Sequence, residues 1–133
     1  MVIDTSVLVA ILLGESSSPH LIAALDATTT RKISAASVVE ASLVMLARYG
    51  EAGDVQLDRL IQKLDAEVVP VDTEQIAAAR DAAFRFGRGR HPAALNFGDC
   101  FSYALAVVSE EPLLFVGEDF SKTDIEPVSW PAS

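Results

Sequence analysis

Short apolar strands alternate with longer helical segments along the chain, and this order constrains the fold more than any other feature. Strands are predicted at residues 1–4, 31–35, 67–71 and 112–117, with a further edge strand at 126–130. Helices are predicted at residues 5–15, 18–27, 36–50, 54–66, 72–87 and 98–110. This alternation predicts a three-layer α/β/α fold, in which a mainly parallel sheet lies between two layers of helices. Such sheets bind ligands beyond the carboxyl ends of their strands.

The composition is that of one folded domain spanning residues 1–133. Half of the residues are hydrophobic and 22% are charged, so the chain can bury a substantial core. Cys100 is the one cysteine and only two histidines accompany it, which excludes an internal disulfide and the usual four-ligand zinc site. The apolar run at residues 7–14 is too short to span a bilayer, and Asp4 stands where a signal peptide is positively charged. We therefore expect a cytoplasmic protein with no membrane partner.

The charge balance argues against a nucleic-acid ligand at first sight. Ten basic and 19 acidic residues give a net charge of −9, whereas contacts with phosphates need Lys and Arg. Four of the ten basic residues, however, lie between residues 80 and 91: Arg80, Arg85, Arg88 and Arg90. This cluster is either a solvated helix end or a loop that contacts phosphates, and the sequence leaves both interpretations open.

One acid lies in an otherwise apolar stretch. Asp99 is the only Asp or Glu between residues 82 and 109, at the start of a helix that is buried along one face. The simplest explanation is structural: Asn96 caps the helix, and Asp99 at its third position faces the positive end of the helix dipole. A functional explanation requires that acids from other parts of the chain lie close to Asp99 in the fold.

Three further acids are candidates to do so. Asp4 directly follows the first strand and Asp119 lies just past the fourth, although a helix cap and a turn explain these two equally simply. Glu40 lies within a helix, and its neighbours three and four positions away are Ala36, Ser37, Leu43 and Val44. On the core-facing side of a helix a carboxylate must be paired, protonated or bound to a metal. Alternatively, the predicted rotation of this helix is wrong, and Glu40 does not face the core.

Convergence of these acids would create a metal site. Crowded carboxylates repel one another, and a divalent cation relieves that repulsion. Oxygen ligands alone suit Mg²⁺, with Mn²⁺ as a second possibility. Such an ion activates a bound water and holds a phosphodiester, so that a negative site can act on a negative polymer. The arginine cluster would then contact the flanking phosphates.

The ordered motifs resemble those of a known family. The segments "DTS", "ASVVEASL", "LNFGDCFSYALA" and "LLFVGEDF", in this order and at these separations, resemble PIN-domain ribonucleases and more closely the VapC toxins of bacterial toxin–antitoxin pairs. The similarity runs from residue 1 to about the last ten residues. It implies a Mg²⁺-dependent endoribonuclease that cleaves structured RNA with metal-activated water, is typically a homodimer, and is silenced by a cognate VapB-type antitoxin.

The resemblance also implies roles for individual residues. Asp4 and Asp99 would be the principal Mg²⁺ ligands, Glu40 would bind the ion or orient the water, and Asp119 would complete the acidic site. Thr5 or Ser6 would support this site. We expect Arg85, Arg88 and Arg90 to hold the RNA backbone.

One departure from the family pattern concerns the last motif. Many relatives have Asp or Asn two residues before the Asp-Phe pair, where this chain has Gly117 followed by Glu118. Either Asp119 serves alone or Glu118 shares its role, and Asp124 is a further candidate. The number of metal ions therefore stays open.

Two other functions remain possible at this point. A receiver-like signalling domain also gathers acids and Mg²⁺ at strand ends, but it opens with an acidic pair where this chain has Asp4 alone. The other possibility is a PIN-like interaction protein that has lost catalysis.

Overall fold

The computed structural model describes residues 1–129 and confirms the predicted α/β order. Four short strands are present: β1 (Val2–Ile3), β2 (Lys32–Ser34), β3 (Glu67–Val69) and β4 (Leu113–Leu114). Six α-helices connect them: α1 (Thr5–Leu12), α2 (Ser18–Asp26), α3 (Ala35–Tyr49), α4 (Glu51–Leu64), α5 (Thr73–Phe86) and α6 (Phe97–Ser109). A 3₁₀ turn at Phe120–Lys122 follows β4.

The sheet is parallel throughout and has the strand order β3-β2-β1-β4. The chain winds from β1 outward through β2 to β3, and then returns to the other side of β1 as β4. This reversal makes a topological switch point between β1 and β4, where parallel sheets open a crevice for ligands. Residues that follow these two strands are therefore the ones positioned to form a site.

Both edges of the sheet are short. At one edge, β3 has three residues, of which Glu67 and Val68 are exposed, and Pro70 follows it. At the other edge, the predicted strand at 126–130 is reduced to an isolated parallel bridge between Leu113 and Pro127. Trp130, the last residue of that predicted strand, lies outside the described residues.

The core is divided between the two faces of the sheet, as a three-layer fold requires. Side chains alternate along each strand, so that Val2 and Leu113 point to one face while Ile3 and Leu114 point to the other. Helices α5 and α6 cover the first face, and α1 to α4 cover the second. Within residues 1–129, no helix is long and apolar enough to cross a membrane.

Some element boundaries differ from the predicted ones. Helix α1 ends at Leu12 rather than residue 15, because Gly14 takes a positive φ of 65° that glycine tolerates best. Strand β4 ends at Leu114, and the Val116 amide instead donates a hydrogen bond of 3.0 Å to Ser6 Oγ. The segment after β4 is thereby fastened beside the start of α1.

Candidate active site

Asp4 lies at the switch point, between the end of β1 and the start of α1. It caps α1, and its carboxylate Oδ2 accepts a hydrogen bond of 3.0 Å from the Ser6 amide. The cap explanation is therefore right, but it is incomplete. Asp4 is only 4% exposed, and its Oδ1 accepts a second hydrogen bond, of 2.5 Å, from Ser102 Oγ on α6. This buried carboxylate is thus held by two uncharged donors, and no basic side chain within residues 1–129 pairs with it.

A second serine stands behind Ser102. The Ser37 and Ser102 hydroxyl oxygens are 3.1 Å apart, and both residues are fully buried. Thr5 Oγ1 donates to the Ser37 carbonyl over 3.1 Å. Polar side chains from α1, α3 and α6 therefore meet beneath Asp4.

Glu40 reaches the same region from α3. Its side chain is half-buried, and its carboxylate occupies the space into which a side chain at residue 98 would project: a Cβ built on Gly98 would lie 2.6 Å from Glu40 Oε1. The expectation of a buried apolar stripe around Glu40 is only partly right. Ser37 is buried, whereas Leu43 is 63% exposed, so Glu40 lies at the boundary between the core and the surface. Its carboxylate is close to the start of α6.

Asp99 combines the structural role with a charged environment. It forms a capping box with Asn96: Asp99 Oδ2 accepts from the Asn96 amide at 3.0 Å, and the Asp99 amide donates to Asn96 Oδ1 at 2.9 Å. Burial raises the pKa of the Asp99 carboxyl to about 6, the hydrogen bond from Asn96 opposes that change, and the charges of Asp4, Asp119 and Glu40 add to it. The charges of the three other predicted acids therefore act on Asp99.

The residues of the last motif occupy two separate places. Asp119 is exposed at the start of the 3₁₀ turn, near enough for its charge to act on Asp99, and Glu118 beside it is also exposed. Asp124 belongs to a different cluster: it accepts from the Tyr103 hydroxyl at 2.6 Å and from Arg85 at 3.2 Å. These bonds outweigh the effect of burial and hold the pKa of Asp124 below its ordinary value.

The arginines differ in what they can contact. The Arg85 guanidinium is engaged within the chain, with Asp81 at 2.9 Å, Asp124 at 3.2 Å and the Tyr103 hydroxyl at 2.7 Å. Arg88 and Arg90, together with Arg80, instead line an open cleft of about 600 Å³ between α5 and the start of α6. Asn96 and Phe97 lie on the opposite wall of this cleft, within one helical turn of Asp99.

The donor chemistry of this region fits a hard divalent cation. Every candidate ligand is a carboxylate oxygen, and the set suits Mg²⁺ or Mn²⁺ better than zinc. Burial is the main cause of the raised pKa of Asp99, and the charges of Asp4, Asp119 and Glu40 raise this pKa further. Across residues 1–129, however, no group of three or more His, Cys, Asp or Glu side chains is arranged so that it could hold a metal ion. Asp4 and Asp99 are oriented by hydrogen bonds of their own.

Comparison with known proteins agrees with the geometry. A model of the PIN domain matches residues 1–126. The ribonuclease VapC30 of Mycobacterium tuberculosis is 49% identical over 131 residues, which cover 98% of this chain and all of the relative. The chain belongs to the PIN-domain family of VapC ribonucleases. Membership in this family replaces the receiver-like alternative.

Solved structures of PIN-domain proteins have the same fold. VapC20 of Mycobacterium tuberculosis, a toxin that cleaves the sarcin–ricin loop, superposes with a TM-score of 0.79, at 16% identity and 98% coverage of both chains. VapBC2 from Rickettsia felis, bound to a DNA fragment from its promoter, gives a TM-score of 0.75 at 13% identity, again covering 98% of each chain. At these identities the likeness concerns the fold.

Sequence reasoning about this PIN domain missed three residues around the acids: Ser37, Ser102 and Gly98. A signal for the serines is present, because Ser37 precedes Glu40 by three residues and Ser102 follows Asp99 by three, which places each pair on one helix face. Gly98 was detectable as a glycine inside the first turn of a helix, where glycine is unfavourable.

Proposed function

We propose that this VapC ribonuclease hydrolyses RNA phosphodiester bonds with a divalent cation held by Asp4, Glu40, Asp99 and Asp119. The proposal is supported by three acids: Asp4 follows β1, Glu40 lies beside the first turn of α6, and Asp99 lies in that turn, where the charges of Asp4 and Glu40 act on it. Mg²⁺ is the expected ion and Mn²⁺ a substitute, because the donors are all oxygen.

The four acids have different parts in this proposal. Asp4 and Asp99 are the principal ligands, since each is oriented by hydrogen bonds that leave further lone pairs on its oxygens. Glu40 binds the ion or orients the attacking water from the half-buried side of α3. Asp119 completes the site from the solvent side. A bound cation supplies an activated water and stabilises charge on the attacking and leaving oxygens.

The substrate approaches a protein of net charge −9 through its basic surface. Arg88 and Arg90 lie on the cleft beside α6, where their guanidinium groups are positioned to contact the phosphates that flank the scissile bond. Arg85, included in the sequence-based expectation, is engaged with Asp81 and Asp124 and acts instead by fixing the end of α5.

Two protein partners belong to the same proposal. A VapB-type antitoxin is expected because VapBC2 from Rickettsia felis is a pair of such proteins. A homodimer is supported by an apolar stripe on α3: Val39, Leu43 and Leu46 are 59%, 63% and 40% exposed at helical spacing. Light scattering on the purified chain, with and without a coexpressed antitoxin, measures both associations.

The deciding experiment is cleavage of total cellular RNA by the purified protein, with Mg²⁺ and with EDTA, followed by mapping of the cut ends. We expect discrete cuts with Mg²⁺ and none with EDTA. Asp99→Asn should abolish cleavage, because it removes charge at nearly constant volume and keeps a side-chain oxygen for the cap.

The matched control is Asp72→Asn. Asp72 caps α5 through a 2.9 Å hydrogen bond from the Gln75 amide and takes no part in the acidic site, so this variant should cleave like the wild type. A folded Asp99→Asn protein that cleaves at the wild-type rate would contradict the proposal. A folded wild-type protein without Mg²⁺-dependent cleavage would favour the inactive PIN-like interaction protein.

A further inference from the structure

We propose that Ser102, supported by Ser37, is a positioning residue that holds the Asp4 carboxylate in the orientation needed to bind the cation. The inference rests on the metal site of the proposed function and extends it to two residues that touch neither RNA nor the ion. It follows from the hydrogen bonds beneath Asp4, from their direction, and from where the two serines lie on their helices.

The direction of the hydrogen bonds is fixed by proton count. Ser102 Oγ donates its single proton to Asp4 Oδ1 over 2.5 Å. Ser102 therefore has no proton left for Ser37, and Ser37 must donate to Ser102 over 3.1 Å. The result is a one-way chain that leads from α3 through α6 to Asp4. Because both serines have zero exposure, water does not substitute for either donor.

The donors in this chain carry no charge. A lysine or arginine would orient Asp4 equally well, but its positive charge would compete with a divalent cation for the same carboxylate. A hydroxyl supplies direction while Asp4 keeps its full negative charge. Ser6 acts in the same way on Oδ2, through its backbone amide at 3.0 Å. Both oxygens of Asp4 are thus oriented and each keeps a lone pair for a ligand.

The same contact sets the distance between the helices that carry the other acids. Ser37 lies one turn before Glu40 on α3, and Ser102 lies one turn after Asp99 on α6. The 3.1 Å approach of the two hydroxyls joins these helices next to the acids. Ser102 therefore fixes the orientation of Asp4 and, together with Ser37, the spacing of Glu40 and Asp99 around it.

The test measures binding of Mn²⁺ alone to the purified full chain by isothermal titration calorimetry, so that it does not depend on RNA cleavage. Loss of the partner that orients a metal ligand typically weakens metal affinity about 10- to 100-fold. We expect Ser102→Ala to weaken Mn²⁺ binding by about this factor, and to raise the Mg²⁺ concentration for half-maximal cleavage in parallel. Most of the cleavage rate should return at saturating Mg²⁺.

A double-mutant cycle distinguishes positioning from packing. Ser37→Ala alone should have a smaller effect than Ser102→Ala, because Ser102 keeps its bond to Asp4. In the Ser102→Ala background, Ser37→Ala should have no additional effect on Mn²⁺ affinity, since the chain is already broken. Ser102→Cys keeps a weak donor of similar size and should fall between wild type and Ser102→Ala.

The structure offers a matched control on α3. Ser42 Oγ donates to Asp54 Oδ1 over 2.5 Å, the same type of bond at the contact with α4, so Ser42→Ala should leave Mn²⁺ affinity unchanged. Urea unfolding in EDTA establishes that each variant is folded. If Ser102→Ala does not fold, Ser102→Cys takes its place in the test.

The possible results separate this inference from the proposed function. Wild-type affinity in folded Ser102→Ala or Ser102→Cys protein would overturn the positioning role and leave the ribonuclease proposal intact. A protein that binds Mn²⁺ in a Ser102-dependent way but cleaves no RNA would keep the positioning role and refute the activity. A wild-type protein without Mn²⁺ binding would refute both.

Discussion

The carboxylate of Glu40 lies directly over the Cα of Gly98, where any larger residue would place its side chain. This contact brings the middle of α3 against the first turn of α6, one residue before Asp99. Gly98 is therefore required by the acidic site, since it gives Glu40 the space to approach.

Gly98→Ala tests this contact, because the local and the tertiary effects have opposite signs. In an exposed helix, Gly→Ala is stabilising by about 1 kcal/mol. Here the new methyl group meets the carboxylate of Glu40, which is the end of a flexible side chain and can move aside, so we expect most of this gain to be lost and the free energy of unfolding to stay within about 1 kcal/mol of the wild type. RNA cleavage should fall, because Glu40 is displaced.

Glu40→Ala provides the control for Gly98→Ala. In that background the steric conflict is gone, and Gly98→Ala should stabilise the protein by about 1 kcal/mol in urea unfolding. An equal effect of Gly98→Ala on the free energy of unfolding in both backgrounds would show that Glu40 is not the group that the new methyl meets.

The metal-free protein should lose stability as the pH rises, because of Asp99. Its pKa is raised from 3.8 to about 6, so the folded state holds this proton more tightly than the unfolded state. Stability falls with pH wherever the folded state binds more protons, so this contribution is fully present below about pH 4 and is lost as the pH rises through about 6. Urea unfolding in EDTA over this range measures it.

Asp99→Asn is the comparison for the pH dependence, since it removes the titrating group and keeps the shape. The wild type should lose stability relative to Asp99→Asn between about pH 4 and pH 7, and added Mg²⁺ should reverse the trend by favouring the charged form. Parallel curves for the two proteins in EDTA would contradict the assigned environment of Asp99.

Tyr103 and Asp124 should contribute to stability and not to metal binding. Tyr103 is 2% exposed and its hydroxyl donates to Asp124 at 2.6 Å, away from the acidic site. Tyr103→Phe should lower the free energy of unfolding by about 1 kcal/mol, below the range of about 1.5–3 kcal/mol for hydrogen bonds to charged groups, because the Asp124 side chain is 56% exposed. The Mg²⁺ dependence of cleavage should not change, and a shift in it would place Asp124 in the metal site. Tyr49→Phe, at an exposed tyrosine, serves as the control.

Arg88 and Arg90 should contribute to RNA affinity and not to stability. Replacing both with Ala in Asp99→Asn protein, which binds without cutting, should weaken binding of a single-stranded RNA. The slope of log affinity against log salt should decrease by about 1.4, at about 0.7 for each lost phosphate contact. Arg48→Ala with Arg59→Ala makes the same change of net charge elsewhere on the surface. An equal loss of RNA affinity in the variant with Arg48→Ala and Arg59→Ala would mean that RNA binding depends only on the net charge of the protein.

The fold was predictable because its determinants are local. Alternating strands and helices are visible in short windows of sequence, and the predicted helices at 36–50 and 72–87 lie within one residue of α3 and α5. The strands were predicted too long, because residues such as Val116 leave the sheet to bond side chains that lie far away in sequence.

The site was predictable only in part. Asp4 could be placed from the rule that ligands bind at the carboxyl ends of parallel strands, and Asp99 from its isolation in an apolar stretch. The partnership of Ser102 with Asp4 spans 98 residues, and nothing within a short window of sequence indicates it. Arg85 looks like Arg88 and Arg90 in sequence, and only its contacts with Asp81 and Asp124 distinguish it. The metal-binding roles of the four acids stay a prediction.

The blunt edges of the sheet have a consequence for how this protein behaves when it is concentrated. At one edge, a strand from a neighbouring molecule could pair only with the three residues of β3, where Glu67 is charged. At the other edge it would lie against Pro127, which has no amide hydrogen to donate. Fibril-like stacking of copies is therefore disfavoured by the backbone itself, and surface charge is not the only safeguard against it.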